Sequence, residues 1–160
     1  MIHDYGAGTS SVPSYGPAIL RLAVGAIFIA HGGPKLFGLW GGGGLEGTAG
    51  VFAKLGLEPA FPLAVAAGIV EFGGGLLLVF GALTLYAAIA LVVQMLVAIW
   101  KVHAANGFFL PAGYEYNVAL IAALVSLMLT GPGAFSFDRH RADSAAALAA
   151  GRARVRHGNI

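Results

Sequence analysis

Four apolar runs dominate the chain: Ala18 to Phe37, Pro62 to Phe80, Ala82 to Lys101, and Tyr114 to Gly131. Each holds 18–20 residues, and at ~1.5 Å per residue that length matches a hydrocarbon core of ~30 Å. The pattern predicts helices, because open strands in lipid would leave amide and carbonyl groups unpaired. Only a few residues around Gly81 separate the second run from the third, which predicts a tight antiparallel hairpin. The first and second runs are joined by a longer segment that opens with Gly41 to Gly44 and continues through Thr48 to Leu55. Thr48 is the expected N-cap there, and Val51, Phe52 and Leu55 share a helical face. A short helix lying in the membrane interface is therefore expected, with Pro59 and Pro62 ending it and starting the second span. The loop Val102 to Gly113 contains His103, Asn106, Phe108, Phe109 and Pro111.

Composition sharpens this picture. Of 160 residues, 58% are hydrophobic and only 10% charged, against roughly 25% charged in a soluble domain. So much apolar surface fits an exterior that faces lipid. Most of the 25 glycines fall within or beside the apolar runs, as in closely packed membrane helices. There are no cysteines, which excludes disulfide, iron–sulfur and thiol chemistry supplied by this chain alone. The expected architecture is an all-α integral membrane four-helix bundle in the plasma (inner) membrane. It divides into an N-terminal segment 1–17, a transmembrane domain 18–138 and a basic tail 139–160.

The placement of charge predicts orientation. Arg139, Arg141, Arg152, Arg154 and Arg156 follow the fourth run, and Arg21 opens the first, whereas the longer loops offer only Lys35, Lys54 and Lys101. Both termini are expected on the cytoplasmic side, with the two longer loops outside. The first sixteen residues carry no Lys or Arg, a poor secretory signal, so the first helix is expected to be retained. Beyond Ala142 the tail is expected either to be disordered or to rest on anionic headgroups.

Ionisable groups within spans are costly and ask for an explanation. Glu71 sits near the middle of the second run, on a stripe with Ala64, Ala67, Gly68, Gly74 and Gly75, all within ~60° on the helix wheel. Such small residues permit close helix contact or leave room for a ligand. On the first helix, Arg21, Gly25, Phe28, Gly32 and Lys35 share a face, with His31 about 80° away. On the third, Gln94 and Lys101 align with Ala87, Ala90 and Ala98. His31, Glu71, His103 and Glu115 form a candidate converging set. A structural reading competes with the functional one. Glu71 paired with His31 or Lys35 would merely fix the bundle, Arg21, Lys35 and Lys101 would snorkel, and His103 and Glu115 would be solvated loop residues. Imidazole and carboxylate also suit transition metals, but no Glu-x-x-His spacing is present, so no metal is expected. The glycine run lacks the Gly-Lys-Ser/Thr of a phosphate loop, and no nucleophile elbow occurs. The tail is too short and too poor in aromatics to argue for nucleic acid.

The ordered set Arg21-Leu22, His31-Gly32, Lys35-Leu36-Phe37, Gly68 to Gly75, His103, Gly107-Phe108-Phe109, Glu115-Tyr116, Gly131-Pro132-Gly133 and Ser136-Phe137-Asp138 resembles the DoxX family of small membrane proteins. The resemblance spans about Arg21 to Asp138. It implies a four-helix plasma-membrane protein tied to redox systems. One relative is the large subunit of a thiosulfate:quinone oxidoreductase, and another joins a superoxide dismutase and a sulfurtransferase in a membrane complex. Arg21, His31, Lys35, Glu71, His103 and Glu115 match the family's recurrent polar positions. The absence of cysteine puts a thiol relay within this chain in doubt. The leading expectation is an oxidoreductase component that holds a quinone or other lipophilic redox molecule. Glu71 and His31 would exchange protons, while Arg21, Lys35, His103 and Glu115 would bind the cofactor. Partners would be the lipid bilayer and other membrane or peripheral redox proteins. The alternatives are a non-catalytic accessory subunit and, behind both, a small transporter using Glu71 as proton carrier.

Overall fold

The structure, a computed structural model, describes residues 14–157, so residues 1–13 of the N-terminal segment and 158–160 of the tail lie outside the described residues. Six α-helices follow in order: α1 Tyr15–Phe37, α2 Gly44–Lys54, α3 Ala60–Phe80, α4 Thr84–Ala98, α5 Glu115–Thr130 and α6 Phe137–His157. Among the described residues there is no strand. A π-helical turn, Ile99–His103, and a 3-10 turn, Ala104–Asn106, prolong α4. Three helical rods are long and apolar enough to cross a membrane: α1, α3, and α4 with its extension to Asn106. The fourth apolar helix, α5, is shorter at 16 residues, or ~24 Å.

Helices α1, α3, α4 and α5 close into a ring, each packing on its neighbours, while α2 lies across α1 and α3. Leu78, Leu91, Leu124 and Leu127 from three of them meet Val24 and Phe28 of α1 in the core. Outside, Ile19, Ile69, Tyr86, Val93 and Leu129 are exposed, the surface expected of helices solvated by acyl chains. Among lipids, packing rather than water exclusion holds helices together, so close backbone approach matters most. The α1–α3 contact supplies it. A Cβ added at Gly25 would stand 2.8 Å from the carbonyl oxygen of Gly75, and one at Gly75 would stand 2.8 Å from that of Gly25.

Two details depart from the sequence-based expectation. Helix α2 begins at Gly44, so Thr48 lies inside it instead of capping it. Its hydroxyl donates to Gly44 O at 2.8 Å, the bond to the preceding turn that a threonine makes within a helix. The tail is helical from Phe137 to His157, not disordered, as its alanine content favours.

At the end of the bundle where α3 turns into α4, a clasp replaces ordinary capping. Gly81 takes the left-handed conformation (φ 64°) that ends α3. Arg21, 1% exposed, donates Nη1 to Leu78 O at 2.7 Å and Val79 O at 2.6 Å, and Nη2 to Ala134 O and Phe135 O at 3.3 Å. The first two carbonyls belong to the last turn of α3, where the helix dipole is negative, and Leu78 O also accepts the amide of Gly81 at 3.1 Å. Asp138 completes the clasp. Its amide donates to Gly81 O at 2.9 Å, and its carboxylate accepts the amides of Leu83 and Thr84, each at 2.9 Å. Asp138 thus caps α4 from a distant part of the chain. Burial pushes its pKa up, but the hydrogen bonds from Thr84 and Leu83 and the charge of Arg141 outweigh this and hold it below the ordinary carboxylate value.

Arg21→Met should therefore cost about 3–5 kcal/mol, since it strands carbonyls built around a buried cation; thermal unfolding in detergent measures it. Asp138→Asn should cost about 1 kcal/mol at neutral pH, as loss of an N-cap does. The folded pKa is depressed, so the carboxylate's contribution is complete above the unfolded value of ~3.9 and fades as pH falls through the folded one. Wild type and Asp138→Asn should accordingly converge in stability on acidification, and curves that stay parallel would refute this.

Candidate polar chamber

At the other end of α1, Lys35 sits in the last turn and Glu71 in the middle of α3. Glu71 is 3% exposed. Both of its carboxylate oxygens accept from Lys35 Nζ, and Oε1 also accepts from Gln94 Nε2 of α4 at 2.8 Å. Gln94 Nε2 donates as well to Ala67 O at 3.2 Å, which ties the amide to the preceding turn of α3. Three helices thus contribute one side chain each to a net-neutral group deep in the bundle. An isolated carboxylate there would be unstable. A cation and an amide donor together satisfy it.

Two cavities share Lys35, Glu71, Ala98 and His103 as a wall, and Gln94 borders the second of them. The first is a chamber of about 200 Å³ enclosed by α1, α4, α5 and the loop before α5, with His31, Tyr116 and Asn117 adding polar atoms. The second, of about 520 Å³, lies in the groove between α3 and α4 beneath α2 and is lined mainly by valine, leucine and alanine. His31 is exposed yet lines the chamber. His103 Nδ1 stands 2.9 Å from Ala112 O; that nitrogen donates, and Nε2 remains as the free acid–base atom.

The loop above the chamber is held by its own hydrogen bonds. Glu115 Oε1 accepts from the amide of Leu110 at 2.9 Å, the Glu115 amide donates to Phe108 O at 2.9 Å and that of Gly113 to Phe109 O at 3.0 Å. Phe108 stacks edge-on against Tyr114, with ring centroids 5.4 Å apart. Leu110, Pro111 and Gly113 are thereby set as one face of the chamber.

Of the six residues singled out from the sequence, the structure brings His31, Lys35, Glu71 and His103 together around the chamber. Glu115 stands beside it and braces the loop, and Arg21 lies at the opposite end of α1, ~21 Å of helix away from Lys35. Lys35, not His31, is the partner of Glu71. Sequence reasoning passed over Asn117, which is 7% exposed and donates Nδ2 to Met95 Sδ at 3.5 Å, and it gave Gln94 no role. A polar residue one turn inside an apolar helix was the available signal for Asn117. Among the described residues no group of three or more His, Cys, Asp or Glu could hold a metal ion.

The bundle thus sets an ion pair between α1 and α3 beside a chamber. Comparison with known proteins identifies its family. The DoxX family profile matches residues 16–104, and the chain belongs to the DoxX family. It is 31% identical over 129 residues to an uncharacterised protein of Haemophilus influenzae, covering 76% of this chain and 87% of the relative. It is 32% identical over 123 residues to a Bacillus subtilis protein named "Putative oxidoreductase CatD" (77% of this chain, 84% of the relative). It is also 32% identical over 127 residues to the inner membrane protein YphA of Escherichia coli (76% and 86%). No solved structure matches the chain.

Removing either member of the pair strands the other. Lys35→Met and Glu71→Leu should each cost about 3 kcal/mol, while the double substitution costs much less than their sum. A double-mutant cycle on thermal unfolding reads the coupling, and strict additivity would mean that the pair carries no mutual stabilisation.

Proposed function

We propose that this protein is the membrane component of an oxidoreductase system and that its polar chamber receives the ring of a quinone or a similar lipophilic redox molecule. The observation that carries the reading is the buried Glu71, paired with Lys35, standing between a chamber with polar walls and an apolar cavity, the pairing an amphiphile with a polar ring and a long tail requires. Membership of the DoxX family and the name given to the B. subtilis relative point the same way. Reduction of a quinone to a quinol takes up two electrons and two protons. Glu71, His31 and the free Nε2 of His103 are groups able to move protons at the chamber. The electrons come from a reduced partner protein that docks on the membrane component. The distribution of positive residues supports an orientation with both termini on the cytoplasmic side of the plasma membrane and the chamber toward the outer side. In that orientation α2 lies in the outer interface, and Trp40 and Trp100, both exposed, stand at headgroup level.

A second reading, a non-catalytic accessory subunit, is favoured by one observation: Lys35, Glu71 and Gln94 satisfy one another without a ligand. One experiment separates the two. The protein is extracted with its native lipids, bound small molecules are identified by mass spectrometry, and ubiquinone and menaquinone are titrated into quinone-free protein. The expected result is about one quinone per chain, retained by Glu71→Gln while reduction by a coupled partner falls by roughly 10²-fold. Wild type that binds no quinone and co-purifies in a stable assembly would establish the accessory reading.

A further inference from the structure

We infer that the apolar groove between α3 and α4, roofed by α2, is the passage for the isoprenoid tail of that quinone, so that ring and tail occupy separate compartments divided at Glu71. The inference rests on the proposed quinone reading and extends it to a tail site and a direction of entry. The first argument is size. Sites that enclose a whole drug-sized ligand run to ~300–1,000 Å³, so a chamber of about 200 Å³ holds a ring and little more. A tail attached to that ring must leave. Toward the outer face the chamber is bordered by His31, the loop at Leu110 to Gly113 and Tyr116 of α5, where a tail would leave the bundle beside polar side chains. On the other side its wall, formed by Lys35, Glu71, Ala98 and His103, is also the inner wall of the apolar groove of about 520 Å³.

The second argument is the lining. Away from the shared wall and from Gln94 and Lys101, the groove presents Ala67, Val70, Ala90 and Phe52, side chains that offer dispersion contacts only. Val93 and Val97 at its rim are 56% and 40% exposed, and in a bilayer their neighbours are acyl chains. A tail lying there continues into lipid without crossing a polar barrier. Because its surroundings are apolar both in the groove and in the bilayer, the tail gains little free energy by entering. The groove therefore acts by shape, admitting a chain at the point where the ring can reach the chamber.

Bulk placed in the groove should discriminate between quinones by tail. Ala67→Phe, close to Glu71, and Ala90→Phe, on the opposite wall, are compared with Ile69→Phe, which stands on the lipid face of α3 and lines neither cavity. Each variant is reconstituted in quinone-free nanodiscs after its thermal unfolding has been matched to wild type. Ubiquinone with a long polyprenyl tail and its tail-less ring analogue are then titrated. The groove variants should lose about tenfold or more in affinity for the long-tailed quinone, the scale of overpacking a filled site, and keep wild-type affinity for the tail-less ring; Ile69→Phe should bind both normally. If Ala67→Phe misfolds, Ala90→Phe carries the same comparison. Groove variants that bind the long-tailed quinone as wild type does would overturn the inference and leave the quinone reading standing. Wild type that binds neither ring would overturn both.

Discussion

A carboxylate in the middle of a membrane helix must be neutralised, and the architecture of this bundle follows from how that is done. Glu71 is met from α1 by Lys35 and from α4 by Gln94, so three helices have to be in register and close. A lysine reaches a carboxylate as a flexible point charge, which leaves the fine distance between α1 and α3 to the backbones. Gly25 against Gly75 sets it, at a separation that leaves no room for a methyl group on either side. The small residues that permit this approach also leave unfilled volume beside it. Ala67 of α3 and Ala98 of α4, near the carboxylate, border the cavities. Charge neutralisation, close packing and the hollow spaces are consequences of one constraint.

The two cations of α1 show why the ends of the bundle differ. Lys35 has a carboxylate partner and stands at cavity walls. Arg21 has none within bonding distance and spends its rigid, multidentate guanidinium on four carbonyls. A planar fork suits a fixed array of acceptors, and a flexible ammonium group suits a single carboxylate. The Arg21–Asp138 end therefore anchors the α3–α4 hairpin, and the position of Gln94, about three turns along α4 from the cap at Leu83 and Thr84, is set from that anchor. The chamber end is tied instead by the side-chain group of Lys35, Glu71 and Gln94 and by the loop held by Glu115.

Period and length made the apolar helices legible in the sequence, along with the inward-facing Glu71 among small residues, because each is a local property of a single helix. What depended on distant pairing was not. Arg21 and Lys35 share a face of α1 at fourteen residues' spacing, which pattern alone groups together; only the antiparallel packing of α3 sends one to a helix terminus and the other to a buried carboxylate. Asp138 is 54 residues from the helix it caps, and no spacing rule connects them. Thr48 looked like a cap because glycines precede it, yet Gly44, in the left-handed region at φ 62°, lets the helix start a turn earlier. The alanine-rich tail is ambiguous in composition between a disordered segment and a helix, and intrinsic propensity decided for helix.

The π-helical turn at Ile99–His103 joins these local and distant effects. On an ideal α-helix Gln94 and His103, nine residues apart, would project on opposite faces, about 180° from each other. Only one of them could then border the Glu71 group. The wider π turn advances less per residue and swings His103 back toward the face of Gln94, so both border the apolar groove and His103 also reaches the chamber. Such turns weaken the helical hydrogen-bond ladder and persist where they re-aim a side chain. Here the side chain is an imidazole with one nitrogen tied to Ala112 O, placed on the common wall of both cavities beside a pair that carries no net charge. For the quinone proposed above, an uncharged ring in that space would meet a paired charge and not a lone one.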